Sequence, residues 1–330
     1  MIIPIELGEN SYNITLERGA INKASDIFGI KGRVLVVTDS GVPSQYAKNV
    51  ASQFKGSVIF TFEQGESNKN FDTYMSICKA LIQNGFTRKD AVVAVGGGVV
   101  GDMSGFAAAT YMRGISFYNI PTTVLSQVDS SIGGKTAIDF MGVKNIIGAF
   151  HQPKGVVIDP DVLSTLPDRQ IKNGLAESIK MGMCFNKELF ELFKSDDYIK
   201  NIDKIIELSL KIKKYVVEKD EKESGLRKSL NFGHTIGHGI ESFFEGKSYH
   251  GECVAMGIIP MCDESIKQEV EAVMKNVGFV TDAFFDKEKV KEIICHDKKA
   301  VSDSITVVRC GEIGSFYFEN MTAEKIINLI

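Results

Sequence analysis

Two histidines stand four residues apart in the stretch NFGHTIGHGIES, residues 231–242, and they offer the most direct chemistry in the chain. If this stretch is a helix, His234 and His238 lie on one helix face, because side chains at i and i+4 are stacked along the helix. The pair then has two possible roles. Both rings hold one metal ion, or one ring binds the metal while the other carries protons. The spacing by itself favours the first arrangement.

Strong metal-ligand types occur in three separate segments of the second half of the chain. Glu177 lies in LAESIKMG, His234 in the stretch above, and His250 in SYHGECVAMG. One carboxylate and two imidazoles with an open coordination position make a catalytic divalent site, most often for zinc. The chain has five histidines, and three of them fall between His234 and His250. This clustering favours a shared site over isolated structural histidines.

A glycine-rich turn follows an apolar run in the first half. In AVVAVGGGVVGD, residues 91–102, three glycines fit GxGxxG directly after a predicted strand, where backbone N–H groups approach a pyrophosphate. The alternative is a tight strand-to-helix turn with no ligand. The usual acid about 20 residues downstream is not found, and Asp39 lies upstream at the end of VLVVTDS. Asp39 could hold ribose hydroxyls if its strand neighbours the glycine strand.

A second glycine-rich stretch, SQVDSSIGGKTAID, places Lys135 beside Gly133 and Gly134, with Asp129 just before them. Polar residues at this density around flexible backbone predict a ligand-binding loop.

The secondary structure that must position these groups follows two different sequence patterns in the two halves of the chain. Up to about residue 160, short β-branched runs end in Gly, Asp or Thr, as in RVLVVTDSG (33–41), SVIFTFEQGE (57–66) and SFYNIPTT (116–123). Such runs are typical of a parallel sheet buried on both faces, with ligands bound at the carboxyl ends of its strands. Beyond this point the pattern has helical periods. We therefore predict an α/β chain with domains at 1–160 and 161–330.

Composition narrows the possible partners. The 38 basic and 42 acidic residues give a net charge of −4, and no long block of one sign is present, which argues against binding to nucleic acid or an acidic membrane surface. No apolar run approaches the roughly 20 residues of a membrane-spanning helix, and no signal peptide is visible. The six cysteines are scattered without a CxxC pair, which predicts reduced thiols in a cytoplasmic protein.

Longer motifs carry a family resemblance. The runs GGGVVGDMSGFAAATYMRGISFYNIPTTVLSQVDSSIGGKTAID (96–139), KNIIGAFHQPKGVVIDPDVLSTLP (144–167), GLAESIKMG (174–182), DEKESGLRKSLNFGHTIGH (220–238) and YHGECVAMG (249–257) resemble 3-dehydroquinate synthase of the shikimate pathway, which leads to chorismate and the aromatic amino acids. The resemblance implies an N-terminal Rossmann-like NAD-binding domain and a mainly α-helical, metal- and substrate-binding C-terminal domain, with the active site in the cleft between them. It also implies a cytoplasmic homodimer.

The resemblance implies a role for individual residues. Glu177, His234 and His250 would bind zinc or cobalt, and His238 would be left as a proton carrier. The implied NAD site takes Asp39, Glu66, Lys69, Gly98, Val99, Val100, Gly101, Asp102, Thr122, Thr123, Lys135, Lys144 and Thr165, with Lys135 and Lys144 where cofactor and substrate meet. The implied substrate contacts are Asp129, Asn145, Lys180, Lys213, Arg227, Asn231 and one of Lys298 or Lys299, with Arg113 reaching in from the partner subunit.

Three of these residues carry a structural expectation. Arg227 and Asn231 are expected on the same side of one helix as His234. Lys213, in KIKKYVVEKDEKE, looks from its neighbours like part of a solvated helix face, and only the resemblance gives it a role.

The implied substrate, 3-deoxy-D-arabino-heptulosonate 7-phosphate, carries a phosphate and a carboxylate, which suits this number of Arg and Lys side chains. The implied reaction joins transient oxidation by NAD, phosphate elimination, re-reduction and intramolecular aldol cyclisation. Two alternatives are a related sugar-phosphate cyclase and a metal-dependent polyol or glycerol dehydrogenase, which releases NADH at each turnover. A non-catalytic binding protein is the least favoured, because no residue of the ligand set is lost.

Overall fold

The computed structural model describes residues 1–244, 247–281, 285–298 and 304–330, with the side chains of 295–298 left out. The chain divides into two compact units, Met1–Pro167 and Asp168–Ile330. The sequence predicted the boundary near residue 160. The division comes later because the turn Pro160–Thr165 belongs to the first unit, where Val162 is buried in the core and the Thr165 hydroxyl lies 3.1 Å from the Tyr46 hydroxyl.

The first unit alternates strands and helices. Its elements are β1 (Ile2–Ile5), β2 (Tyr12–Leu16), α1 (Ala24–Phe28), β3 (Val34–Asp39), α2 (Ser44–Ser52), β4 (Val58–Phe62), α3 (Phe71–Gln83), β5 (Ala91–Gly96), α4 (Gly98–Thr110), β6 (Ser116–Pro121), β7 (Lys135–Phe140), β8 (Val143–Phe150) and β9 (Gly155–Ile158). Seven strands form one sheet in the order β1-β2-β9-β6-β5-β3-β4, parallel except for the β1–β2 pair. The predicted α/β class is confirmed.

The central strands are buried on both sheet faces. On β3, Leu35 and Val37 pack on the face that also buries residues of α3 and α4, whereas Val34 and Val36 pack on the face covered by α1 and α2. A strand covered on both sides has no polar face to alternate with, so it appears in the sequence as a continuous apolar run. The continuous apolar runs in the sequence therefore predict these central strands where the structure has them.

The region read as a ligand loop is more regular than predicted. A π-helical turn spans Ser126–Ser130, and the residues after Gly134 form the antiparallel hairpin β7–β8, with Lys135 opposite Phe150. The inner face of the hairpin is buried through Ile138, which packs in the core together with residues of α4. Buried and exposed side chains alternate along the six residues of β7, and this short pattern marks a strand where the glycines suggested a loop.

The second unit is mainly helical. It comprises α5 (Asp168–Phe185), α6 (Lys187–Glu191), α7 (Ile202–Lys219), α8 (His234–Phe243), α9 (His250–Ile258), α10 (Glu264–Val277), α11 (Lys287–Lys298), β10 (Ile305–Glu312), β11 (Ser315–Met321) and α12 (Ala323–Ile327). Strands β10 and β11 pair antiparallel as a separate ribbon. In the described part of the chain, no helix combines the length and the apolar character that crossing a bilayer requires.

One expectation about this unit is wrong. Arg227 and Asn231 do not continue the helix of His234, because they lie in a separate 3₁₀ turn, Leu226–Asn231. Gly233, with φ of 77°, interrupts the helical conformation just before α8 begins at His234. Glycine adopts this left-handed conformation without the steric cost that other residues meet. The prediction that His234 and His238 share one helix is confirmed.

Candidate metal centre and cofactor turn

Three imidazoles and one carboxylate meet in the second unit. The ring nitrogens of His234, His238 and His250 that could bind a metal all lie within 4.8 Å of one another. Glu177 Oε1 lies 3.7 Å from Nε2 of His234 and 3.4 Å from Nε2 of His250. Helices α5, α8 and α9 supply these side chains, so the structure brings together residues as far apart in sequence as Glu177 and His250.

In His234 and His250, the Nδ1 atom, which points away from Glu177, has a hydrogen-bond acceptor of its own. Nδ1 of His234 lies 3.1 Å from the carbonyl oxygen of Phe232, and Nδ1 of His250 lies 3.1 Å from Oε2 of Glu241. A proton on Nδ1 of His234 leaves its Nε2 lone pair directed towards Glu177, and His250 presents its Nε2 to the same carboxylate. Metal-binding histidines typically have this arrangement, in which an outer acceptor fixes the tautomer.

Glu241 is a site residue that the sequence analysis missed. It follows His234 by two helical turns and His238 by nearly one, so all three lie on the same face of α8. The signal is present in the motif HTIGHGIE, in which a carboxylate follows the two histidines at helical spacing.

Burial and charge act in opposite directions on these groups. Burial would raise the pKa of Glu177, but the Lys180 ammonium and the two imidazoles outweigh it and hold that pKa well below its usual value. Burial, with Lys180 nearby, lowers the pKa of His234 well below its usual value. For His250, burial acts to lower the pKa, yet the nearby carboxylates of Glu177 and Glu241 outweigh it and raise the pKa to about 9. Glu177 is therefore ionised and His234 neutral, the forms in which each binds a metal, whereas His250 would release a proton when a metal binds.

The donor set fits a divalent cation. Oε1 of Glu177 is buried and has no hydrogen-bond partner within the described ranges, whereas its other carboxylate oxygen accepts a hydrogen bond from Lys180. A buried ionised oxygen without a partner is costly. A cation between that oxygen and the Nε2 atoms of His234 and His250 would satisfy it. His238 is exposed, and the two other rings are partly buried.

Helices α8 and α9 touch through their main chains. A Cβ atom at Gly257 would lie only 2.1 Å from the carbonyl oxygen of Gly233, so no other residue fits there without separating the helices. Their contact brings the rings of His234 and His250 to a centroid separation of 5.2 Å.

The cations predicted for the substrate differ in setting. Lys180 and Lys213 are buried, on α5 and α7, so the view of Lys213 as part of a solvated face is wrong. Arg227 is also buried, and its guanidinium donates to the carbonyl oxygen of Glu221 at 2.5 Å. Asn231 is exposed, with its amide 2.9 Å from Oε1 of Glu223. The side chains of Lys298 and Lys299 lie outside the described residues.

In the first unit, the predicted cofactor residues collect at the carboxyl ends of the parallel strands. Strand β3, which ends at Asp39, pairs directly with β5, which leads into the glycine turn. The condition for Asp39 to serve as the ribose acid is therefore met. Thr122 follows β6, and its N–H donates to the carbonyl oxygen of Gly96 at 2.9 Å. Gly98, Val99, Val100, Gly101 and Asp102 form the first turn of α4.

This turn fits a pyrophosphate. The first N–H groups of α4 have no partner within the helix, and the helix dipole favours an anion there. A Cβ atom at Gly98 would lie 3.2 Å from Oγ of Ser130, so glycine lets the turn lie close to its neighbour.

A buried lysine ties the cofactor residues to the hairpin. Nζ of Lys69 lies 2.6 Å from Oδ2 of Asp102 and 3.7 Å from Oε1 of Glu66, and it donates to Oδ1 of Asn145. Burial acts to lower the pKa of Lys69, but the carboxylates of Asp102 and Glu66 outweigh it and raise that pKa. The structure thus joins Glu66, Lys69 and Asp102, predicted for NAD, with Asn145, predicted for the substrate.

The remaining predicted residues of this unit are more dispersed. Asp129 lies in the π-helical turn, and the Oγ1 of Thr123 reaches that turn at Ser126, 2.8 Å away. Lys135 and Lys144 are exposed on the hairpin. Thr165 is exposed beside Tyr46. Arg113 is exposed beyond the end of α4 that lies opposite the glycine turn, so it does not join this group.

Solved structures define the class of fold. The 2-deoxy-scyllo-inosose synthase complexed with carbaglucose-6-phosphate, NAD+ and Co2+ matches with a TM-score of 0.90 at 24% identity, covering 100% of this chain and 99% of that chain. The 2-epi-5-epi-valiolone synthase of Streptomyces hygroscopicus with NAD+ and Zn2+ bound matches with a TM-score of 0.89 at 24% identity, covering 98% and 97%. A probable glycerol dehydrogenase of Sinorhizobium meliloti matches with a TM-score of 0.68 at 16% identity, covering 96% and 94%. The chain therefore has the fold that these solved structures share.

Sequence comparison defines the family. Models described as 3-dehydroquinate synthase N-terminal and C-terminal match residues 59–173 and 174–300. The 3-dehydroquinate synthase of Clostridium beijerinckii is 38% identical over 343 residues, covering 97% of this chain and 98% of that protein. That of Clostridium acetobutylicum is 40% identical over 346 residues, covering 98% and 97%. The chain belongs to the 3-dehydroquinate synthase family.

Proposed function

We propose that this chain converts 3-deoxy-D-arabino-heptulosonate 7-phosphate to 3-dehydroquinate and phosphate, as an NAD- and divalent-metal-dependent lyase. The observation that carries the proposal is the buried Glu177 oxygen facing the Nε2 atoms of His234 and His250, in a chain that matches the family over nearly its whole length. The predicted ligand set therefore coincides with a group of donors that suits zinc or cobalt.

The two absent groups supply distinct chemistry. A divalent ion, when bound by Glu177, His234 and His250, supplies Lewis acidity for the carbon-5 hydroxyl of the substrate. NAD, when bound at the first turn of α4 with Asp39 at the neighbouring strand end, supplies a hydride acceptor that is regenerated within each turnover. Catalytic amounts of NAD are then sufficient.

The chain's own residues bind and orient an anionic substrate. Buried Lys180, Lys213 and Arg227 offer positive charge for a phosphate and a carboxylate, and in a buried setting each charge acts more strongly than in water. His238 is exposed beside the proposed metal ligands, and in this proposal it moves the proton of the substrate alcohol. The substrate phosphate can itself remove the carbon-6 proton, in which case the protein mainly positions the reacting atoms.

The assembly and compartment are part of the same proposal. We place Arg113 in the site of a second subunit of a homodimer, because it is exposed and lies at the far end of α4 from the glycine turn. A cytoplasmic location is supported by the five cysteines with described side chains, none of which forms a disulfide with another of them.

The deciding experiment measures phosphate release from the heptulosonate phosphate with NAD far below the substrate concentration, with and without a chelator. We expect many turnovers per NAD, no accumulation of NADH, and loss of activity on chelation. NADH accumulating in step with substrate consumption would instead identify a polyol dehydrogenase. Turnover of an aldohexose 6-phosphate in place of the heptulosonate would identify a different sugar-phosphate cyclase.

A further inference from the structure

One face of α5 carries three polar side chains at intervals of four residues, Arg169, Asn173 and Glu177, which we call the α5 ladder. Each member contacts the beginning of α9. Asn173 Oδ1 accepts the N–H of Gly251 at 2.6 Å, and Glu177 Oε1 lies 3.4 Å from Nε2 of His250. The ladder thus runs alongside the turn from which His250 projects.

Arg169, the first member of the α5 ladder, binds the beginning of α9 through two parallel hydrogen bonds. Its Nε and Nη2 donate to the two carboxylate oxygens of Glu252, at 2.6 and 2.9 Å. Oε2 of Glu252 also accepts the N–H of Tyr249 at 2.9 Å, which closes a capping box at the start of α9. A bidentate pair fixes orientation as well as distance.

The same guanidinium reaches the residues that precede His250. Nη2 of Arg169 donates to the carbonyl oxygen of Lys247 at 3.2 Å, and its carbon Cζ lies 4.4 Å from the centre of the Tyr249 ring. Residues 247, 249 and 252 lie on both sides of His250, and Arg169 contacts all three. These contacts therefore fix the position of His250, the first residue of α9, along the axis of α5.

We propose that Arg169 is a positioning residue for the metal centre, which sets the distance between Glu177 and His250 without touching the ion. The proposal rests on the proposed function, in which these two residues and His234 bind the metal. Since Glu177 stands on the same helix as Arg169, any shift of the α9 start relative to α5 changes the separation of two ligands directly.

A purely stabilising role predicts something different. More than half of the Arg169 side chain is exposed, at 55%, and exposed ion pairs contribute little to stability. If Arg169 only stabilised the fold, its loss would lower the melting temperature and leave metal affinity unchanged. If it positions His250, metal affinity falls even when the melting temperature hardly moves.

The test measures the zinc dissociation constant of the full chain by competition with a chelator, together with the Tm of the metal-free protein. The variants are Arg169→Gln, Glu252→Gln and the double variant. We expect each single variant to bind zinc roughly tenfold more weakly, the range seen for outer-shell partners, and the double variant to lose no more than either single one. Lys200→Gln, which removes another exposed ion pair at 2.7 Å, is the matched control and should leave zinc affinity unchanged.

Arg169→Lys covers the case in which Arg169→Gln does not fold, because it keeps the charge and removes the fork. Its zinc affinity should also fall. Wild-type zinc affinity in Arg169→Gln, or in Arg169→Lys where that variant decides, would overturn the positioning role and leave the proposed function intact, whatever happens to Tm. Failure of the wild-type chain to bind zinc would overturn both.

Discussion

The metal cluster of the second unit and the glycine turn of the first unit are built in opposite ways. The candidate metal cluster consists of side chains from three helices, α5, α8 and α9, and its proposed ligands are separated by long stretches of sequence. The glycine turn consists mainly of backbone at the carboxyl ends of neighbouring strands. One site depends on how helices pack, and the other on the order of strands in a sheet.

This difference determines how each site should respond to substitution. A side-chain cluster loses a ligand outright when one residue is truncated. A backbone turn keeps its N–H groups when a side chain changes, and it is affected only where a new Cβ atom would not fit. Metal-site variants should therefore alter metal binding and leave NAD binding in place, and glycine-turn variants should do the reverse.

The largest effect is expected from the helix-α8 histidines. His234→Ala should lower zinc affinity by more than about 100-fold, beyond the usual cost of an outer-shell change, because a direct ligand is removed. His238→Ala should keep near-normal zinc content and lose most turnover. Zinc content by elemental analysis and steady-state rates would measure both. Equal zinc loss in the two variants would show that the division of roles between these histidines is wrong.

The next largest effect concerns Glu241. Glu241→Gln keeps the shape of the acceptor at Nδ1 of His250 and removes its charge, so zinc affinity should fall by about 10- to 100-fold while NAD affinity stays unchanged. Titration with zinc in the presence of a competing chelator gives the first value, and fluorescence titration with NAD the second. Glu264→Gln, at an exposed glutamate on α10, is the control. Parallel losses of zinc and NAD affinity would mean that Glu241 supports folding and not the metal ligand.

A smaller effect is expected at the glycine turn. Gly98→Ala places a methyl group 3.2 Å from Oγ of Ser130, so the turn must shift by a few tenths of an ångström and its N–H groups lose alignment. We expect NAD to bind roughly tenfold more weakly, a cost of about 1.4 kcal/mol, with zinc content unchanged. Ser104→Ala, within the same helix and away from the turn, should bind NAD normally. Normal NAD affinity in Gly98→Ala would remove this turn from the cofactor site.

The last expected effect concerns acid stability, away from both candidate sites. The Asp220 carboxylate accepts the N–H groups of Ser224, Gly225 and Arg227 at 2.7 to 2.9 Å. Burial would raise the pKa of Asp220, but these backbone hydrogen bonds outweigh it and hold that pKa well below its usual value. A lowered pKa stabilises the fold above the unfolded value near 4, and the stabilisation is lost as the pH falls through the folded value.

Asp220→Asn should therefore lower the free energy of unfolding at pH 7 by about 2 kcal/mol, the range for hydrogen bonds to a charged group. Denaturant unfolding at pH 7 and pH 3 would show a smaller difference between wild type and variant at the lower pH. An equal difference at both values would contradict the role of the ionised carboxylate.

Much of the first unit could be predicted from sequence because its signals are local. Strands β3 and β5 are continuous apolar runs, and the glycine turn follows the second of them directly. The pairing of β3 with β5, which makes Asp39 a plausible ribose acid, could not be predicted, since strand order is a property of the whole sheet. The hairpin β7–β8 was missed because its glycines resemble those of a loop.

The second unit shows the reverse. Spacing alone favoured His234 and His238 as a pair of ligands, and the structure adds to this pair both His250 and the carboxylate of Glu177, which come from other helices. Glu241 and Arg169 act through contacts between helices that no local pattern indicates. Lys213 lies among charged residues in the sequence, yet it is buried, because burial of α7 depends on which of its faces packs.

The main-chain contact between α8 and α9 at Gly257 has a consequence for ionic size. Since the two backbones already touch, the opening between His234 and His250 can neither narrow further nor adapt through side-chain repacking at that point. Ca2+ takes about six to eight oxygen ligands at longer distances than those zinc needs. A site of two nitrogens and one oxygen therefore suits zinc better than Ca2+, while backbone atoms that never touch the ion fix the closest approach of its proposed ligands.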